Sequence, residues 1–155
     1  MNPFQPDDTQ ISHVERSLQR GSDPLIRQLP VLGDLRGSLI AIEGGNTVPF
    51  DVKRVYYIFG TQPGVERGFH AHVSLRQFAI CVAGSCEMIF DDGKTRTVHK
   101  LDRPDSAILI EPMIWHEMRS FSADAILLVL ADQIYDEMDY IRNYADFLKR
   151  LVVAS

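Results

Sequence analysis

The sequence predicts an all-β sandwich or barrel carrying a C-terminal amphipathic helix, and three observations carry that prediction. First, from Ile26 onward short β-favouring runs follow one another: IRQLPVL, GSLIAIE, VKRVYYIF, QFAICVA, CEMIF, TRTVHKL, SAILI and AILLVLA. Turn residues separate them, among them Gly44-Gly45, Pro49, GTQPG, Gly84-Ser85 and Arg103-Pro104-Asp105. Strands at this spacing with glycine, proline and aspartate between them belong to all-β folds. Second, CEMIFDDGKTRTV reads as a hairpin with Asp92-Gly93 as its turn signal. Third, in DYIRNYADFLKRL the residues Ile141, Tyr144, Phe147, Leu148 and Leu151 fall on one helical face. Asp139 stands where it could cap that helix, and Lys149 and Arg150 lie near its end.

The 155 residues suit one domain with a single apolar core. Residues 1–25 are polar, contain three prolines and show no apolar period, so they are expected to form a loosely attached arm before a domain over 26–155. The apolar fraction of 45% and the charged fraction of 24% are those of an ordinary globular protein. A net charge of −5 argues against a nucleic-acid partner, while leaving room for a local basic pocket. No apolar run approaches the roughly 20 residues of a membrane span, and no basic-then-apolar leader opens the chain. A cytoplasmic protein with no membrane association is the expectation. Cys81 and Cys86 are the only cysteines, and buried reduced thiols are expected.

The chemistry concentrates in RGFHAHVSLRQ, residues 67–77. On a strand, residues two apart share a face, so His70 and His72 project together. Such a pair can hold a metal, move protons, or merely pack. The spacing Gly64, His70, His72, Gln77 and Gly84 is similar to the first cupin motif, and Pro112 with His116 in EPMIWHE supplies the second. That resemblance implies a jelly-roll barrel. A carboxylate would stand at Gln77 in a metal cupin; an amide is a poor neutral ligand. His70, His72 and His116 could still form a three-histidine set, but metal-free proton transfer is the expectation, since imidazole both takes and gives a proton near neutral pH. Arg54, Arg67 and Arg76 are candidates to hold an anion such as a diphosphate. Tyr56 and Tyr57 have opposite parity, so one of them should face inward, where a phenol can steady an enediol oxygen. Trp115, the only tryptophan, could stack on a base or sugar, although core packing is the commoner role for such a residue.

Together RGSLIAIE, KRVYYIFGT, RGFHAH, GSCEMIFDDG, PMIWHEM and LADQIYDEMDYIRNY resemble the sugar-nucleotide 3,4-ketoisomerases, the WxcM-like or FdtA-type cupins, over roughly residues 34 to 150. The resemblance implies a cupin homodimer that needs no metal or other cofactor. It implies action on dTDP-4-keto-6-deoxyglucose, moving the carbonyl from C4 to C3 on a route to dTDP-3-amino sugars. Its paired histidines fall on His70 and His72 and its active-site tyrosine on the YY pair, assigned to Tyr57. Arg54, Arg67, Arg76, Gln77, Trp115 and His116 are the expected substrate-binding set. Val73 departs from the lysine that often follows the histidine pair in the family. Three other readings stay open: a cupin 3,5-epimerase, which commonly relies on a His–Asp pair and a tyrosine, a metal-dependent cupin enzyme, and a sugar-binding cupin without catalysis.

Overall fold

A computed structural model describes residues 23–153. Among the described residues, twelve strands, one short 3-10 turn (Glu137–Asp139) and one α-helix follow in order. β1 (Ile26–Gln28), β2 (Leu32–Asp34) and β3 (Gly37–Leu39) are short. β4 (Arg54–Phe59), β5 (Arg67–His72), β6 (Gln77–Ala83), β7 (Cys86–Asp91) and β8 (Arg96–Leu101) follow. β9 (Ser106–Ile110), β10 (Trp115–Arg119), β11 (Ile126–Ala131), β12 (Tyr140–Ile141) and α1 (Tyr144–Val153) complete the chain. Two five-stranded antiparallel sheets form, in the orders β1-β9-β6-β11-β4 and β12-β5-β10-β7-β8, and β2-β3 is a separate hairpin. This is the expected jelly roll with a C-terminal helix.

Strand alternation sorts the side chains into layers. Between the sheets lie Ala79, Cys81, Met88, Phe90, Ile108, Ile110, Met118, Leu127 and Val129, with Tyr56 and Ile58 packed against them. The opposite parity of β6 and β11 sends Phe78, Ile80 and Leu130 outward, where Leu29, Val48, Phe50 and the partly buried Ile40, Ile42 and Val52 cover them. On the outer face of the second sheet, Ala71 and Trp115 pack under Ile141 and Phe147, with Leu148 and Leu151 beside them. The helix therefore backs the strand that carries His70 and His72. Burying one large apolar side chain contributes about 1.5–3 kcal/mol, so this backing holds β5 firmly.

Three local expectations are corrected. GSLIAIE is strand only at Gly37–Leu39; beyond it the chain runs irregularly through the Gly44-Gly45 turn, because its apolar residues cover a sheet rather than join one. IRQLPVL breaks at Pro30, which has no N–H for a ladder. The helix begins at Tyr144, and its cap is Asn143, whose Oδ1 accepts the Asp146 N–H at 3.1 Å; Ile141 stays in β12. The hairpin at β7-β8 is as read, closed by Asp92–Thr95, with the Asp92 carboxylate accepting the Lys94 and Thr95 N–H groups. Gly84 turns β6 into β7 at a φ of +64°, and a Cβ there would sit 2.2 Å from Ser122 Oγ and 2.8 Å from the Ala125 backbone. Both cysteines are free and buried. Of the expected arm, residues 1–22 lie outside the described residues. Asp23 is described, with its carboxylate accepting a hydrogen bond from His99 Nδ1 at 2.5 Å.

Candidate active site

At one end of the barrel the inward positions stop being apolar. Register places Arg54, Ala131 and Gln77 side by side across β4, β11 and β6, and Tyr56 follows two residues on. In the other sheet His116 opposes His70, and Tyr140 opposes His72. The two groups face each other: the Arg54 charge is felt at His72, and the Tyr140 hydroxyl is felt at Tyr56.

A β-bulge aims the first ring. His70 opposes His116 while Gly68 opposes Glu117, so Phe69 is the extra residue. Gly68 and Phe69 take φ of +89° and +57°, and a Cβ on Gly68 would lie 2.7 Å from the His116 carbonyl oxygen. Only glycine fits there. The bulge turns the Gly68 carbonyl toward His70 Nδ1 at 3.0 Å. His116 is anchored the same way, Nδ1 to the Ile114 carbonyl at 3.2 Å. His72 Nδ1 meets Asp139 Oδ2 at 3.1 Å. Asp139 in turn accepts from Ser74 N and Ser74 Oγ, both at 2.8 Å, and from Leu75 N at 3.2 Å.

These partners fix the tautomers. Two carbonyls and an ionised carboxylate accept only, so each ring must donate from Nδ1. Each Nε2 is left with its lone pair. That of His72 is buried and has no partner. The ring centroids stand 4.5 Å apart for His70 and His116, 4.9 Å for His70 and His72, and 5.7 Å for His72 and His116. One nitrogen from each ring lies within 4.8 Å of the others. The Tyr140 ring rests on both strand histidines, 4.9 Å from His70 and 4.4 Å from His72.

Burial sets the charge states. It pushes the His72 imidazolium down to about 4, helped by the His70 charge and opposed by Asp139. Burial likewise lowers His70, against the Gly68 carbonyl, and lowers His116 well below the ordinary value. Burial would raise the Asp139 carboxyl, but the Ser74 and Leu75 donors outweigh it and hold it below the usual carboxylate range. The result is three neutral rings beside one carboxylate.

The other expected residues divide. Arg54 lies over the Tyr56 and Tyr135 rings at 5.5 Å and 5.7 Å, with its Nε buried and unpartnered. Gln77 is buried, donates from Nε2 to the Tyr56 hydroxyl at 2.6 Å, and leaves Oε1 without a partner. Tyr57 is corrected: it sits on the outer face, 62% exposed and beside Phe59, because β4 alternation turns Tyr56 inward instead. Trp115 is also corrected. It has the parity opposite to His116, packs on Tyr144 and Phe147, and donates to Glu117 Oε1 at 3.0 Å. Arg76 is not a free cation, since Asp132 takes its Nε at 3.1 Å and its backbone N–H at 3.0 Å. Arg67 is exposed at the start of β5, outside the histidine cluster.

The sequence does not mark Asp139 and Tyr140 as site residues, nor the Glu137–Arg142 ion pair that flanks His70. Arg142 also stacks on the Tyr140 ring at 4.3 Å. Asp139 lies 67 positions from His72, beyond any local pattern. The signal for it was a carboxylate in a short segment where no helix had yet begun.

The family model described as FdtA, WxcM-like, C-terminal matches residues 22–152. The chain belongs to that family. The resemblance drawn from its motifs is thereby borne out. It is 50% identical over 116 residues to the TDP-4-oxo-6-deoxy-alpha-D-glucose-3,4-oxoisomerase of Aneurinibacillus thermoaerophilus, covering 75% of this chain and 84% of that protein. A 3,4-ketoisomerase from Helicobacter canadensis superposes with a TM-score of 0.80 at 44% identity, over 82% of this chain and 96% of that one. The TDP-quinovose 3,4-ketoisomerase from Campylobacter jejuni does so with a TM-score of 0.77 at 50% identity, over 80% and 95%.

The lowered imidazole values make a pH prediction. A base with a depressed value stays unprotonated until the medium is more acidic than that value. In the free enzyme, kcat/KM should therefore hold steady from pH 7.5 down through 6.5 and fall only below it, toward the value near 4 for His72. An acid limb at or above pH 6.5 would contradict the neutral cluster.

Proposed function

We propose that the chain is an isomerase that moves the keto group of dTDP-4-keto-6-deoxyglucose from C4 to C3 through an enediol. The observation that carries this reading is the cluster of three imidazoles, each with Nδ1 held by an acceptor and His72 and His116 buried, in which the buried His72 Nε2 has no partner. The C4 ketone makes the C3 hydrogen acidic. His72 Nε2 takes that proton, and Asp139 steadies the imidazolium that forms. The electron pair left at C3 becomes the enediol double bond, and the C4 oxygen gains the proton that the C3 hydroxyl gives up. His70, partly exposed and linked to the Glu137–Arg142 pair, passes protons between the two oxygens. A proton returned to C4 then leaves the ketone at C3. Oxidation at one carbon balances reduction at the next, so the atoms balance without a redox partner.

Tyr56 takes the role first assigned to Tyr57. Burial, with a smaller push from Tyr140, raises its phenol to about 12, so it stays protonated and able to donate. Gln77 fills one of its lone pairs, which leaves the hydroxyl proton for the enediol oxygen. Gln77 Oε1 and His116 would receive sugar hydroxyls, and Arg54 would meet the diphosphate as a charge-assisted donor. The His72–Asp139 pair is also what the sequence reading associated with 3,5-epimerases. Half-identical isomerase relatives favour isomerisation, and product analysis separates the two because epimerisation keeps the ketone at C4.

The chain is proposed to act in the cytoplasm, a reading supported by two reduced thiols. It is further proposed to work as a homodimer. Edge strand β4 turns Val55, Tyr57 and Phe59 to solvent, and the β2-β3 hairpin exposes Leu32, Leu35 and Leu39. Apolar edges of this kind are normally covered by a partner.

The test is incubation with dTDP-4-keto-6-deoxyglucose in D₂O, followed by NMR. Deuterium at C4 and a new 3-keto species are expected; an unchanged ketosugar would refute the reading. His72→Asn should slow the conversion by roughly 10²–10⁴ while keeping the wild-type melting profile. Under the same conditions Tyr56→Phe should lose turnover and Tyr57→Phe should retain it. The reverse order would return the tyrosine role to the outer face.

A further inference from the structure

Carbonyl transfer builds negative charge on two neighbouring oxygens in turn. It falls first on the C4 oxygen as the C3 proton leaves, then on the C3 oxygen as C4 takes its proton. Tyr56 can donate to one of them, and a second phenol stands opposite. Tyr140 pairs with His72 across the β12-β5 ladder, and directly opposed residues project to the same face. Its side chain therefore enters the barrel, while Ile141 turns out to Phe147. The Tyr140 ring lies 4.4 Å from His72 and 4.9 Å from His70, and its hydroxyl bears on the Tyr56 phenol from across the barrel. Arg142 lies 4.3 Å over the same ring and is held by both Glu137 oxygens, at 2.8 Å and 2.9 Å. The ring is thus fixed against a guanidinium as well as the imidazoles. Its hydroxyl is uncommitted. Among the described residues Tyr56 accepts from Gln77, Tyr135 donates to Glu137 and Tyr144 donates to Asp91, whereas no group hydrogen-bonds the Tyr140 hydroxyl. A half-buried phenol that faces two histidines and spends no proton inside the protein is free to donate to a substrate oxygen.

We propose that Tyr140 is a catalytic residue whose hydroxyl donates to the C3 oxygen of the ketosugar while Tyr56 donates to the C4 oxygen. This role rests on the isomerase reading. Tyr140 takes the C3 side because its ring packs more closely on His72, the base that removes the C3 proton, than on His70. In the first half of the reaction the C3–H electron pair moves into the C3–C4 bond, and the C4 carbonyl pair moves onto oxygen, where Tyr56 steadies it. The C3 hydroxyl proton then passes through His70 to the C4 oxygen, leaving an enolate charge on the C3 oxygen. Tyr140 steadies that charge while the His72 imidazolium returns its proton to C4 and the C3 carbonyl forms. Neither phenol changes its protonation, so protons and charge balance over the cycle.

The two phenols should fail differently. Wild-type, Tyr140→Phe and Tyr56→Phe proteins are incubated with dTDP-4-keto-6-deoxyglucose in D₂O. ¹H NMR follows both the C3 hydrogen of the remaining substrate and the appearance of the 3-keto species. Losing one donor to an oxyanion typically costs roughly 10²–10³ in rate, so Tyr140→Phe should slow conversion by about that factor and C3 exchange by less than about tenfold. Deuterium then accumulates at C3 of unconverted substrate. Tyr56→Phe should slow exchange and conversion together. A hydroxyl that merely supported the fold would lower both in step, so parallel losses in Tyr140→Phe, or full conversion by that variant, would overturn the role. If Tyr140→Phe does not fold, difluorotyrosine at position 140 keeps the ring and its oxygen. Raising the pH until that phenol ionises removes the donor, and conversion should fall ahead of exchange relative to wild type; parallel loss would overturn the role. A wild-type protein that converts no ketosugar would sink the isomerase reading and this role with it, whereas wild-type conversion with parallel losses in the variant removes the role alone.

Discussion

The bond between the Asp139 carboxylate and His72 Nδ1 is the constraint on which the site depends. It does three things at once. It fixes the tautomer so that Nε2 faces inward without a proton, and it supplies a negative charge to balance an imidazolium. It also pins the segment before β12 across the end of β5, where Tyr140 pairs with His72 and Ile141 with Ala71. Ser74 and Leu75 orient the carboxylate, so its position is overdetermined. Removing any one donor would leave the others holding it.

The rest of the architecture serves that arrangement from behind. Phe147 and Trp115 fill the space under Ala71, so β5 cannot drift away from the barrel interior. The bulge at Phe69, made possible by Gly68, sets the first ring without any side-chain partner. The inner sheet faces are apolar along most of their length and turn polar where Arg54, Tyr56, Gln77 and the three clustered histidines converge. Water exclusion there strengthens each remaining hydrogen bond and keeps the rings neutral.

Much of this was legible in the sequence because it follows from period-two alternation. His70 and His72 share a face, the cupin spacing puts Gln77 beside them, and the hairpin at Asp92-Gly93 is where its turn residues put it. Parity also said that one of Tyr56 and Tyr57 faces inward, but not which, because both flanks of that strand are apolar. The exposed Val55, Tyr57 and Phe59 explain the ambiguity: an outer face that is itself apolar imitates a core face. Trp115 misled for a related reason, since a lone tryptophan beside a site histidine points to the opposite side of its strand. Asp139 reads as a helix cap in the sequence because its neighbours are helix-forming. Its real partner lies far away in sequence, and only the antiparallel pairing of β12 with β5 brings the two together. Arg76 reads as a free cation in the sequence because its partner, Asp132, comes from the chain just past β11.

Proton transfer at this site depends on where three ring protons reside. Two-dimensional ¹⁵N–¹H NMR of the histidine rings in uniformly labelled protein at pH 7 reads this directly. The prediction is that His70, His72 and His116 each carry their proton on Nδ1 and leave Nε2 bare. A proton on Nε2 of any of these rings, or an imidazolium among them, would contradict it.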